Sequence, residues 1–231
     1  ISEWGDISFW DMETSQFVGE LPVPQFEGLD GIKAMLVVSS PVFSPDGKTL
    51  AAISSVNTIT FWDLSTLKSV GQPFLVGDSY SRNGIAHIIF GQDGKTLLAV
   101  NADGTLTSWD LETRESIYKW HPLETKDSYL LSGYGVTFSP NASFVAINDG
   151  SVIKVLNTQT GEQISRLLKG NSNNLGDLAF SPDGKMLASV GSNGVIIYDI
   201  SNRQILGRIL TEKAGSSIAF SSDGKTLASN Y

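Results

Sequence analysis

A nine-residue phrase repeats through this chain: Phe43-Ser44-Pro45-Asp46-Gly47-Lys48-Thr49-Leu50-Ala51 returns from Phe180 to Ala188 and again from Phe220 to Ala228, with looser copies at Phe90 and Phe138. A second phrase follows four of these copies in constant register. Trp62-Asp63, Trp109-Asp110, Leu156-Asn157 and Tyr198-Asp199 lie 19, 19, 18 and 18 residues beyond their phenylalanines. Two phrases at a fixed offset require one structural unit, repeated, and units of this kind bury their apolar faces against one another. Measured between phenylalanines, the unit is 47, 48, 42 and 40 residues long.

Within each unit the residues before the turn are apolar and β-branched, as in Leu178-Ala179-Phe180 and Ile218-Ala219-Phe220, which suits a buried strand. Ser-Pro-Asp-Gly then makes a turn: proline presets φ, aspartate bonds the local backbone, and glycine takes the left-handed position. Lys-Thr-Leu-Ala opens a second strand, so the phrase encodes an antiparallel hairpin. After a polar break such as Asn101-Ala102-Asp103-Gly104, a third strand ends in the aromatic-aspartate phrase, and a weaker fourth follows, as in Ser116-Ile117-Tyr118. Four short strands per unit without helical periodicity describe an all-β chain of repeated sheets. On these two phrases the chain resembles a WD-repeat (WD40) β-propeller, of the bacterial-looking kind rich in Phe-Ser-Pro-Asp-Gly-Lys-Thr-Leu-Ala hairpins.

The resemblance implies four-stranded antiparallel blades over a single domain, 1–231. Its units are 35–75, 85–118, 131–168 and 174–210, with half blades at 1–21 and 215–231. The first half blade carries a Trp10-Asp11 phrase without its hairpin, and the last carries a hairpin without its Trp-Asp. Pairing 7–21 with 216–229 is therefore expected to complete a fifth, composite blade and close a ring, removing exposed sheet edges. The alternative is a fragment of a seven-bladed ring. The chain departs from the family in having no Gly-His pair, so its blades are expected to rely on apolar packing in place of the family's polar network.

Composition removes several functional classes. There are no cysteines, so disulfides, thiolate zinc sites and cysteine nucleophiles are excluded. His87 and His121 lack metal-ligand spacing, so neither metal nor cofactor is expected. A net charge of −8 without a basic stripe argues against nucleic acid. No apolar run reaches the roughly 18 residues that cross a bilayer, so no membrane insertion is expected. Asn141-Ala142-Ser143 has the glycosylation spacing but stands where other copies have Pro-Asp-Gly, and reads as turn chemistry. The start at Ile1, with no signal-like segment, suggests a piece of a longer, cytoplasmic polypeptide.

The abundant Asp46, Asp93, Asp183 and Asp223 each serve the same turn of a different blade, so they cannot meet as a catalytic pair. No nucleophile elbow or phosphate loop is present, and no catalytic residue is assigned. Trp10, Trp62, Trp109 and Tyr198 share one register and read as structural, packing between blades. Position follows for binding residues too: Ser40, His87, Asp177 and Ser217 fall three residues before their phenylalanines, with Tyr134 beside the remaining such place, Gly135. In the resembled family this neighbourhood opens on the narrow face of the ring, where partners bind. The long connections 22–33, 77–84 and 120–129 add Phe26, Tyr80, Trp120 and Tyr129 as aromatic anchors.

The expectation is a non-enzymatic protein-interaction scaffold or sensor module, a monomeric ring within a larger multidomain signalling protein, whose protein partner the sequence does not name. The alternative is a carbohydrate-binding or glycosidase-like five-bladed propeller using its central channel, which requires carboxylates gathered at one channel end.

Overall fold

In the computed structural model the described residues are 7–21, 39–55, 57–76, 84–120, 135–148, 152–169, 175–192, 194–210 and 215–230. Strands β1 (Ile7–Trp10) and β2 (Phe17–Leu21) form a two-stranded sheet. The first complete sheet comprises β3 (Ser39–Phe43), β4 (Thr49–Ser55), β5 (Thr58–Asp63) and an outer strand in two pieces, β6 (Lys68–Ser69) and β7 (Phe74–Leu75). The second has β8 (Ile85–Phe90), β9 (Thr96–Asn101), β10 (Leu106–Asp110) and β11 (Ser116–Trp120). β12 (Val136–Phe138), β13 (Phe144–Asn148), β14 (Val152–Asn157) and β15 (Gln163–Lys169) make the third. The fourth is β16 (Leu175–Phe180), β17 (Met186–Gly191), β18 (Gly194–Asp199) and β19 (Gln204–Ile209). A last pair, β20 (Ile218–Phe220) and β21 (Leu227–Ser229), ends the series.

Every strand pair among the described residues is antiparallel and joins sequence neighbours except that of β7, which pairs with β5, and the first strands of consecutive sheets, β3, β8, β12, β16 and β20, contact one another. These strands lie innermost, and the sheets radiate from them as propeller blades.

One row of side chains crosses each blade. Phe43 faces Leu50, which faces Trp62; the same row is Phe90, Leu97, Trp109 in the second blade, Phe138, Val145, Leu156 in the third, and Phe180, Leu187, Tyr198 in the fourth. Leu50, Leu97, Val145 and Leu187 are at most 1% exposed, and Trp62, Leu156 and Tyr198 are fully buried. Adjacent cross-strand partners of this size are the unit of sheet stabilisation, which is why the two sequence phrases hold their offset. Trp109 is partly buried, and its Nε1 is buried with no hydrogen-bond acceptor among the described residues.

Turn chemistry stitches blade to blade. In the hairpins, Gly94, Gly184 and Gly224 have φ of 65°, 70° and 69°. A Cβ built on them would lie 3.8, 4.0 and 3.5 Å from Cδ of Pro45, Pro140 and Pro182, each the proline of the preceding blade's turn. Where the preceding turn has Gln92 instead of proline, the next has Ala142, at φ 52°, in place of glycine. Gly47, which no hairpin precedes, has open space there.

The ends depart from the expected closure. Among the described residues, β1–β2 and β20–β21 are separate two-stranded sheets, and no strand pairing joins them into the expected composite blade. Each half is anchored by face packing that needs no edge bonds. Leu21, with Ile7 and Phe9 against the cluster, packs with Leu50 and Trp62, while Ile218 packs on Ala188, Val190 and Val195. The cross-strand row is consequently divided. Phe220 faces Leu227 at one end, and at the other Trp10 has only Phe17, edge-on at 5.5 Å. Trp10 is 61% exposed, which corrects its expected role in packing between blades: among the described residues its strand pairs with β2 alone, where Phe17 stands opposite it.

Trp62→Ala is expected to cost about 3–5 kcal/mol, as for truncation of a buried large aromatic, and Trp10→Ala no more than about 0.5 kcal/mol. Urea unfolding of both variants measures the contrast, and equal midpoints would refute the packing described. In the turns, Gly94→Ala is expected to cost about 1 kcal/mol through its positive φ. Ala142→Gly is expected to be nearly neutral, since the relieved strain is offset by the lost burial of a methyl worth about 0.8 kcal/mol.

Candidate functional site

The inner strands begin with an irregularity. Pairing register shifts between Ser39 and Val42, between Ile85 and His87, and between Leu175 and Leu178. Such bulges insert a residue into one strand and re-aim the side chains beside it. Ser40, His87 and Asp177 stand at these bulges, and Ser217 immediately precedes β20, so four of the sequence-selected residues lie at the same end of the innermost strands. Tyr134, Phe26, Tyr80 and Tyr129 lie outside the described residues.

The four make contacts that join blades. The Ser40 hydroxyl, on backbone at φ 50°, donates to the Ala86 carbonyl of the next blade at 3.5 Å. His87 is half-buried, with its ring edge-on to Phe138 of the third blade at 5.8 Å. Its Nδ1 lies 3.2 Å from the Ile88 carbonyl; because a carbonyl only accepts, this bond puts the proton on Nδ1. Burial pushes the His87 pKa below its ordinary 6.5, against the opposing effects of that carbonyl and of Asp177, so the ring is neutral at pH 7. Asp177 accepts from its neighbour Leu178 N at 2.8 Å through Oδ1, and from Ser217 Oγ at 3.3 Å and Ile218 N at 3.4 Å through Oδ2. Ser217 N in turn donates to Asn230 Oδ1 at 2.7 Å. The carboxylate thus ties the fourth blade to the terminal hairpin.

This arrangement can present hydrogen-bonding groups around an opening. It does not have the geometry of a catalytic triad, because the serine bonds the carboxylate and His87 bonds its own backbone. Among the inner-strand starts described, Asp177 is the one carboxylate, and no group of three potential metal ligands occurs among the described residues.

Trp120 takes a different position from the one expected. It ends strand β11 and packs on the second core cluster, and a Cβ on Gly161 of the third blade would lie 3.1–3.2 Å from its ring. An indole fitted this closely to the next blade is a packing residue and not a loop anchor.

The abundant aspartates are committed to turns. Asp46, Asp183 and Asp223 each accept from the serine two residues earlier at 2.6 Å and from the amide two residues later at 3.0–3.1 Å; Asp93 takes the amides of Lys95 and Thr96. In the second phrase, Asp11, Asp63, Asp110 and Asn157 each accept two amides of the following turn, and Asp199 accepts Asn202 N. The residue after each of these turns, Ser15, Leu67, Arg114, Gly161 and Arg203, has φ of 55–69°. The acid of the aromatic-acid phrase is therefore the cap that holds a left-handed residue in place.

These bonds lower the pKa of eight carboxylates. Hydroxyls are the leading cause at Asp46, Asp63, Asp183 and Asp223, and backbone N–H groups at Asp11, Asp110 and Asp199. At Asp93 burial pushes upward and is outweighed by the bonds from Lys95 and Thr96.

Comparison with known proteins places one repeat directly. Residues 161–199 match the family model described as WD domain, G-beta repeat. That span runs from the outer strand β15 through the first three strands of the fourth blade. The small ribosomal subunit protein RACK1 of Trypanosoma brucei brucei is 31% identical over 105 residues, covering 42% of this chain and 32% of that protein. The RACK1 of Trypanosoma brucei rhodesiense matches to the same extent. The matched stretch thus spans about a third of these relatives.

A depressed pKa contributes stability that is present above the unfolded value and lost as pH falls through the folded one. Stability is therefore expected to decline in two stages on acidification. A small loss begins as pH drops below 6.5, from His87, and a larger one follows below about 3.8, from the turn carboxylates. Urea midpoints measured from pH 8 to 3 test this: His87→Gln should abolish the upper stage and leave the lower, and an unchanged upper stage would refute the assignment.

Proposed function

We propose that this chain, one of whose repeats matches the WD-repeat family model, is a non-catalytic interaction module that receives a protein partner at the narrow-face opening of its innermost strands. WD repeats serve as scaffolds for protein–protein contact. The observation that carries the reading is the shared placement of Ser40, His87, Asp177 and Ser217 at bulged or terminal positions of successive inner strands. Bulges recur where a protein re-aims side chains for function. The surface is mixed and nearly neutral, with a neutral imidazole, two hydroxyls and one carboxylate already engaged by Ser217. A docking partner meets hydrogen-bonding groups there, not a charge cluster.

Among the described residues the aspartates of the two phrases are held in turns, which favours this reading over a glycosidase-like channel built on paired carboxylates. Membership of a larger signalling polypeptide, a sensing role and a cytoplasmic setting belong to the same proposal and rest on kinship alone. The relatives are ribosomal by name, but a net charge of −8 offers phosphate backbones no attraction, so nucleic acid is not among the proposed partners. No helix among the described residues is long and apolar enough to cross a membrane.

The test is a triple variant, His87→Ala, Tyr134→Ala and Asp177→Asn, the asparagine preserving an oxygen for Ser217 and Ile218. Affinity for a partner captured with the parent chain and purified is expected to fall at least about tenfold, or ~1.4 kcal/mol, without loss of folding by circular dichroism. Unchanged affinity would move the site away from this face. A glycan bound in the channel by a parent chain that captures no protein would establish the carbohydrate reading in its place.

A further inference from the structure

A second surface is built where the first and second complete blades meet, far from the inner-strand starts along the hairpin turns. Outer strands β11, β15 and β19 run unbroken for five to seven residues, whereas the first blade's is split. β6 pairs with Trp62 and Asp63, the chain detours through Gly71 at φ 67°, and β7 then pairs with Thr58 and Ile59. Beside the detour lies a cavity of about 560 Å³. Its volume is in the range of small-ligand and side-chain receptor sites.

The walls are apolar. Phe61, Phe74, Phe90 and Leu111 line them, and Val70, 49% exposed, stands at the rim. Phe74 is 3% exposed, edge-on to Phe61 at 6.3 Å and to Trp109 at 5.2 Å. Arg114 of the second blade is committed across the gap: its Nη2 donates to the Gln72 carbonyl at 3.0 Å, and its guanidinium stands 5.7 Å over the Phe74 ring.

Two carboxylates from adjacent blades, Asp46 and Asp93, also line the cavity. Each spends Oδ1 inside its own turn, and Oδ2 of each has no hydrogen-bond partner among the described residues. Two acids and one arginine line the cavity, with Lys48 acting on Asp46 from beside it, in a chain whose net charge is −8.

We propose that this cavity is a receptor for a short peptide segment that inserts one bulky apolar side chain flanked by lysine or arginine. The apolar side chain fills the phenylalanine-lined space and the flanking cations meet the free oxygens of Asp46 and Asp93. Charge complementarity selects this occupant, because an acidic or uncharged segment would bring the carboxylates no counter-charge. The site shares no residue with the inner-strand surface, so either stands or falls without the other.

The probes are three acetylated, amidated pentapeptides with glycine at both ends and Lys-Phe-Lys, Glu-Phe-Glu or Lys-Ala-Lys at the centre. They are titrated into the full chain and followed by calorimetry and by the indole N–H resonance of Trp109, assigned with Trp109→Phe. The Lys-Phe-Lys peptide is expected to saturate with Kd below about 1 mM and to shift that resonance, with the other two at least about tenfold weaker.

The double variant Asp46→Asn and Asp93→Asn removes charge while keeping the turns. The protein itself shows that asparagine serves there, since Asn141 Oδ1 accepts from Ser139 Oγ at 2.7 Å and Ser143 N at 3.1 Å. In this variant the preference for Lys-Phe-Lys over Glu-Phe-Glu should collapse to under about threefold, while exposed Val70→Arg should abolish binding of both. The proposal is overturned if Lys-Ala-Lys binds as well as Lys-Phe-Lys, if the charge preference survives the double variant, or if Lys-Phe-Lys fails to saturate by about 5 mM.

Discussion

The cross-strand row of phenylalanine, leucine and aromatic side chain is the interaction on which the rest of this molecule depends. It runs from the innermost strand to the third, fixes the register of three strands at once, and buries its middle member in every complete blade, although Phe43 of the first blade is 59% exposed. Its geometry demands that both sequence phrases keep their spacing while the connections between units vary. Substitutions inside the row preserve bulk more than identity: Trp62, Leu156 and Tyr198 occupy one place and are equally buried. Hydrophobic volume at a fixed position matters more there than the identity of the side chain.

Around this row, charge is used for local backbone geometry. The aspartates of the two phrases look like a reservoir of catalytic acids, yet their bonds run to amides and hydroxyls within three residues. Five turns carry a left-handed residue that is glycine only once, and a capping carboxylate or amide stands before each. Asp177 is the exception in reach, bonding Ser217 and Ile218 40 and 41 residues away. Function in such a molecule is left to surfaces where one blade differs from its siblings.

Hairpins, blade order and the turn role of the aspartates were legible because repetition turns weak local signals into a strong one. The bulges at Ser40, His87 and Asp177 were not, since a bulge depends on how two strands pair, and Ser40 reaches φ 50° without a glycine to mark it. The split outer strand had a signal: Gly71-Gln72-Pro73 interrupts the place where the other blades run on. Complementary half blades at the two ends indicated a shared sheet, but sequence complementarity specifies which strands suit one another and not whether their edges bond. Trp120 was assigned from its adjacency to a long connection, and only the approach of Gly161 reveals its packing.

Consecutive inner strands touch one another, and among the described residues each terminal half blade packs on one complete blade. In a linear array of this kind, opening is cheapest where one interface suffices to release a unit. Amide hydrogen exchange should therefore form a gradient along the chain, slowest in β9 and β13 and fastest in β1 and β21. Proteolysis of the native protein would accordingly trim from both ends before it cut the middle.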